Sequence, residues 1–180
     1  DELREVVKTI EEILRDHERK VRDNSRRMKE IIKRVKEELE RVIKEAKELV
    51  ERLKEAVRRG EVDEDTARKI KKELRDLLRE LKKRLEEIKK RLDESNDRLR
   101  RHSEEVKERI DRLVDKVRRD GVEREEDLRK MAEDVKRALD KINRDNEESS
   151  RRLKKELDDV LRKVEEVIRR LEEEIDRLTT

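Results

Sequence analysis

The sequence predicts an all-α protein: an up-down-up bundle of three long antiparallel helices with coiled-coil-like packing. Apolar residues recur at spacings of three and four along almost the whole chain, and the recurrence breaks only twice, each time at a glycine. Of the 180 residues, 61% are charged and 30% are apolar, with no Pro, no Cys and no aromatic side chain. High charge with few large hydrophobes is also a signature of disorder. The placement of Leu, Ile and Val separates the two readings, because a disordered chain has no reason to keep one helical face apolar.

The first stripe runs Leu3, Val7, Ile10, Leu14, Val21, Met28, Ile31, Val35, Leu39, Val42, Ala46, Leu49, Leu53 and Val57, and stops at Arg58-Arg59-Gly60. Cations before a glycine suit a helix C-terminus, where the carbonyl end attracts positive charge and Gly accepts the left-handed cap. This places helix 1 at about 2–59 and a turn at 60–63. Asp63 is positioned to cap the next helix, and Val62 to staple onto Ala67.

Helix 2, about 64–119, carries Ala67, Ile70, Leu74, Leu77, Leu81, Leu85, Ile88, Leu92, Ser95, Leu99, His102, Val106, Ile110, Leu113 and Val117. A second turn, 120–123, contains Gly121. Helix 3, about 124–179, carries Leu128, Ala132, Val135, Leu139, Ile142, Asn146, Ser149, Leu153, Leu157, Val160, Val164, Val167, Leu171, Ile175 and Leu178. Each helix is about 57 residues, or roughly 85 Å, and the three are expected to form a single domain, 1–180.

The register follows from arithmetic, since facing residues of an antiparallel pair have position numbers with a constant sum. For helices 1 and 2 the sum is 123, as for Leu53 with Ile70 and Val35 with Ile88. For helices 2 and 3 it is 245, as for Leu92 with Leu153 and Ile70 with Ile175. Half of each sum falls in a turn, so stripe and turns agree.

In this register the unusual residues sort into adjacent layers. His17 lies with Val106 and Leu139. Val21, His102 and Ile142 follow, with Ser103 and Asn143 beside them. Asn24, Leu99 and Asn146 come next, flanked by Ser25, and then Met28, Ser95 and Ser149, flanked by Asn96 and Ser150. Polar residues far apart in sequence thus converge on one band. A buried polar group without a partner costs about 1–3 kcal/mol, so the band is expected to be a hydrogen-bonded network across all three helices. Satisfied in one register, it penalises slipped ones, which would set Asn24 or Asn146 against aliphatic neighbours.

Sharper chemistry is poorly supported. A zinc or haem site would rest on His17 and His102, but no acidic residue lies on the core stripes of this band to complete a ligand set. The register puts the two histidines about one turn apart. A Ser-His-Asp hydrolase would need an oxyanion hole and a pocket, whereas mid-helix N–H groups are already committed. The Arg26-Arg27, Arg100-Arg101 and Arg151-Arg152 pairs read as solvated surface. No enzyme, cofactor, metal or small-molecule substrate is expected.

Basic and acidic residues, 56 and 53, interleave to a net charge of +3, so no basic face forms to track nucleic acid. No apolar run reaches membrane-spanning length and the N-terminus lacks signal-peptide zones, so the chain is expected to be soluble, with no compartment indicated.

Equal helix lengths, two Gly turns, a surface of nearly pure Glu, Lys, Arg and Asp, and core runs such as DNSRRM (23–28) and SSRRL (149–153) resemble computationally designed helical bundles with buried hydrogen-bond networks. The resemblance covers the full chain and implies a stable scaffold or assembly module without a natural substrate, made by cytoplasmic recombinant expression. With two histidines the chain departs from the pH-responsive designs, which carry more, and the resemblance does not imply a pH switch. Adjacent apolar pairs (Val6-Val7, Ile13-Leu14, Ile31-Ile32, Val42-Ile43, Leu49-Val50) widen the stripe of helix 1. They either close a monomeric three-helix core, the reading favoured, or line a groove for a partner helix or a second copy.

Overall fold

Acidic residues open each helix and basic residues close it, matching the two ends of the helix dipole. Glu2 and Glu5 begin α1 (Glu2–Arg58), Glu64 and Asp65 begin α2 (Glu64–Arg119), and Glu125, Glu126 and Asp127 begin α3 (Glu125–Thr179). Arg58, then Lys116, Arg118 and Arg119, and finally Arg177 occupy the last turns. The computed structural model describes residues 2–61, 64–119 and 124–179, and its three helices form a three-helix bundle fold with no strand among them. Val62, Asp63 and Gly121, expected to shape the two turns, lie outside the described residues.

Two helix ends differ by one residue from expectation. Helix α1 stops at Arg58 because Arg59 is already its cap. Glu61 N–H donates to Ala56 C=O and Gly60 N–H to Val57 C=O, both at 3.0 Å, while Gly60 adopts φ 72°. These are the paired bonds of a Schellman cap, and Gly takes that conformation without a Cβ penalty. Helix α3 starts at Glu125 because Arg124 is its N-cap: its carbonyl accepts from Leu128 N–H at 3.2 Å while its own φ is 72°. A left-handed conformation at a residue with a Cβ costs about 1 kcal/mol.

The chain packs as two compact units, and every helix passes through both. Unit one comprises residues 1–28 and 91–152. Its core joins Val6, Ile10 and Ile13 of α1, Ile110, Val114 and Val117 of α2, and Leu128, Ala132, Val135 and Leu139 of α3. Unit two comprises residues 29–90 and 153–180. Its core is wholly aliphatic and includes Ile32, Val35, Leu39 and Leu53 of α1, Leu74, Leu81, Leu85 and Ile88 of α2, and Leu157, Val164, Ile168 and Ile175 of α3. Full burial of one such side chain contributes about 1.5–3 kcal/mol.

Charged flanks report the register within each unit. In unit two, Lys71 pairs with Asp176, Arg75 with Glu172, Lys82 with Glu165 and Lys89 with Asp158. In unit one, Arg100 pairs with Glu147, Lys107 with Asp140, and Asp111 with Lys136. The position numbers of all seven pairs add to 247, two more than the 245 of the core layers, as residues flanking an antiparallel seam should. In unit two, α1 and α3 run parallel at an offset of 120, through Lys36 with Glu156 and Lys54 with Glu174.

The widened stripe of α1 is used within the two cores. Val6, Ile13, Ile32 and Val50 are buried, while Val7, Leu14, Ile31 and Leu49 pack half-buried at the edges. No large hydrophobic side chain is exposed among the described residues.

Leu74→Ala, at a fully buried site, should lower stability by about 2–5 kcal/mol in a denaturant titration, and Leu77→Ala, at a half-buried one, by less than half as much. Arg124→Gly should raise stability by up to about 1 kcal/mol, read as a higher midpoint at unchanged slope.

Candidate functional site

The polar residues of the band all belong to unit one, where heptad positions otherwise filled by Leu, Ile or Val carry His, Asn and Ser. Helical spacing sets them on the inward face: His17 and Asn24 are seven apart on α1, as are Ser95 and His102 on α2. His17, Asn24, Ser95, Ser103, Asn146 and Ser150 are buried; Ser25, Asn96, His102, Asn143 and Ser149 are half-buried.

The band consists of three separate hydrogen-bonded groups, not one continuous network. One joins all three helices: Lys20 Nζ of α1 lies 2.8 Å from His102 Nε2 of α2, His102 Nδ1 lies 3.2 Å from His17 Nδ1 of α1, and His17 Nε2 lies 2.8 Å from Asn143 Oδ1 of α3. The second is a bond from Ser95 Oγ to Asn24 Oδ1, between α2 and α1. The third links α3 to α2, with Asn146 Nδ2 and Ser150 Oγ donating to Asn96 Oδ1 at 2.8 and 3.2 Å.

Three expected members stand outside these groups. Ser25 and Ser149 are half-buried and join none of them, whereas Ser150, expected only to flank the seam, takes the buried position. Ser103 is fully buried and its Oγ finds no hydrogen-bond partner among the described residues, an uncompensated desolvation of about 1–3 kcal/mol. The histidines, placed about one turn apart by the register, are in direct contact. Their planes lie within 8° of parallel with centroids 5.4 Å apart. The centroid separation exceeds the 3.2 Å Nδ1–Nδ1 distance by about two ring radii, so the near-parallel rings meet edge to edge through a hydrogen bond rather than face to face.

Lys20 is the member of the His group that sequence reasoning missed. It is charged and exposed, like most of the chain, so no apolar stripe marks it. The register contained the signal: 20 and 102 add to 122, within one of the expected sum for helices 1 and 2. A flexible stem lets the ammonium reach the seam from the surface.

Burial pushes the His17 imidazole below its ordinary value of 6.5; the Asn143 bond opposes this, the Lys20 charge adds to it, and Glu18 opposes it least. His102 is lowered by burial, then by Lys20 and by His17, with Glu105 and Asp16 opposing. Both histidines therefore favour the neutral form, and the Lys20 ammonium requires it of His102, whose Nε2 must accept.

Among the described residues no three His, Asp or Glu side chains gather to hold a metal ion. No helix of the described residues is long and apolar enough to cross a membrane. The Arg pairs beside the band face outward, Arg100 pairing with Glu147 and Arg152 with Glu148, while Arg26, Arg27, Arg101 and Arg151 are exposed.

No protein-family model and no curated protein matches the chain. A solved structure described as a computationally designed three-helix bundle superimposes with a TM-score of 0.91, covering 98% of this chain and 90% of its own, at 19% sequence identity. The chain thus shares its fold with a designed protein.

Ser103→Ala should be neutral or should stabilise by about 1 kcal/mol, whereas Asn146→Ala, which leaves the half-buried Asn96 carbonyl with one donor fewer, should destabilise by about 1–2 kcal/mol; both are read in denaturant titrations. With both histidine values lowered on folding, the unfolded chain binds more protons below about 6.5, so stability is full above that pH and declines as pH falls beneath it. Denaturant midpoints measured from pH 8 to pH 5 should show this decline, and a His17→Leu/His102→Leu variant should show much less of it.

Proposed function

We propose that the chain is a designed structural scaffold, a self-contained three-helix bundle whose polar band fixes which helix faces pair and in which register. The observation that carries this reading is the combination of hydrogen-bonded polar groups between every pair of helices in unit one with the absence of any exposed large hydrophobic among the described residues. The shared fold with a designed bundle supports it. Aliphatic layers alone tolerate sliding by a heptad, because one Leu packs much like another. Asn and His do not, since each slip strands an amide or imidazole without a partner. On this reading the protein has no substrate and acts as a monomer.

A second reading, a module that accepts a further helix, has one feature in its favour. Within unit two the half-buried Leu49 of α1 and Leu77 of α2 floor a groove rimmed by Glu45, Glu48, Glu73, Asp76 and Glu80, with Arg52 the one cation in its lining. That surface suits a basic amphipathic helix.

Solution mass measured by light scattering over a concentration series decides between them. The scaffold reading expects a constant mass near 22 kDa. A mass that rises with concentration, or a stable complex with an added Lys- and Leu-rich helix, would favour the module. Replacing Asn24, Ser95, Asn96, Asn146 and Ser150 together by Leu should raise the thermal midpoint and yield more than one oligomeric species. A single monomeric species with an unchanged fold would refute the register role.

A further inference from the structure

The hydrogen bonds of the His group have only one possible direction. A lysine ammonium carries donors and no acceptor, so His102 Nε2, 2.8 Å from Lys20 Nζ, must accept. The single proton of neutral His102 is then on Nδ1, and it donates to His17 Nδ1 at 3.2 Å. His17 in turn carries its proton on Nε2 and donates to the Asn143 carbonyl oxygen at 2.8 Å. The two histidines are thus opposite tautomers, set by a charge on the surface and read through to a carbonyl on α3. Every ring nitrogen is in use.

We propose that this chain is a two-step acid latch, in which a first proton enters at His102 by displacing Lys20 and a second enters at His17 and breaks the hydrogen-bonded link between the two rings. The order follows from which bond yields at lower cost. A proton on His102 Nε2 would face the Lys20 ammonium, but Lys20 is exposed and can swing into water. The His102 Nδ1–H still donates to His17 after that step, so the three-helix link survives. A proton on His17 has only Nδ1 to occupy, and there it meets the His102 N–H. His17 is fully buried and cannot turn Nδ1–H to water where it stands, so the rings separate.

Charged groups around the pair fit this order. From α1, Asp16 and Lys20 act on His102, and Glu18 and Lys20 act on His17; from α2, Glu105 acts on His102; α3 presents the uncharged Asn143. Once Lys20 has left, Asp16 and Glu105 favour the His102 cation. Unit two contains no histidine, so the latch acts on unit one alone. None of this depends on how the chain is used.

Nitrogen-15 NMR of the imidazole rings tests the proposal on the intact chain. At pH 8 His102 should show the Nδ1–H tautomer and His17 the Nε2–H tautomer, and on acidification His102 should titrate before His17. Lys20→Met, a surface change that leaves the core untouched, should move the His102 midpoint upward by about half a pH unit or more. Below the His17 midpoint, amide exchange in α1 around His17, corrected for intrinsic rate, should quicken by about tenfold or more, with α1 exchange in unit two unchanged. Matching tautomers, simultaneous titration near 6.5, or a Lys20→Met variant with an unmoved His102 would overturn it.

Discussion

Burial of one aliphatic stripe per helix is the constraint on which the structure rests. With no aromatic side chain, no disulfide and 61% charged residues, nothing else in the sequence can offset the entropy of ordering some 50-odd residues in each helix. Both units meet the constraint in the same way, with Leu, Ile, Val and Ala from three helix faces closing on one another. The charged flanks contribute little energy individually, since exposed ion pairs add at most about 1 kcal/mol each. Their constant register makes them a description of the alignment that the core sets.

Polar residues in such a core are tolerable because they meet in small groups that satisfy one another. Asn96 accepts from two donors on α3, and Ser95 donates to Asn24. The His group is of a different kind, because its direction is imposed by a charge. Lys20 sits outside the seam, yet its ammonium determines where the protons of the buried His17 ring and the half-buried His102 ring reside. Ser103 shows the limit of the arrangement: a hydroxyl on the buried face of α2 with no partner among the described residues.

Much of this was legible beforehand. The breaks in apolar rhythm at Gly60 and Gly121 separate the helices, and constant sums of position numbers give a register that the ion pairs report within two positions. Legibility fails where two adjacent residues could each face inward. Ile32 is buried where the stripe suggested Ile31, Ser150 where it suggested Ser149, and Ile168 where it suggested Val167. A rotation of one residue about a helix axis is about 100°, and neighbouring positions share an apolar face that wide. Periodicity alone cannot choose between them.

The sequence by itself determined that the chain is helical, that it folds back twice, and that its polar core residues converge on one band. Each of these follows from spacing along a single chain, where 3.6 residues per turn converts order into position. Only the tertiary structure decided which member of each adjacent pair turns inward, that the two histidines touch, and that Lys20 reaches them. Those outcomes depend on how three faces fit together within about one ångström, a distance at which a hydrogen bond is made or lost and to which sequence spacing is blind.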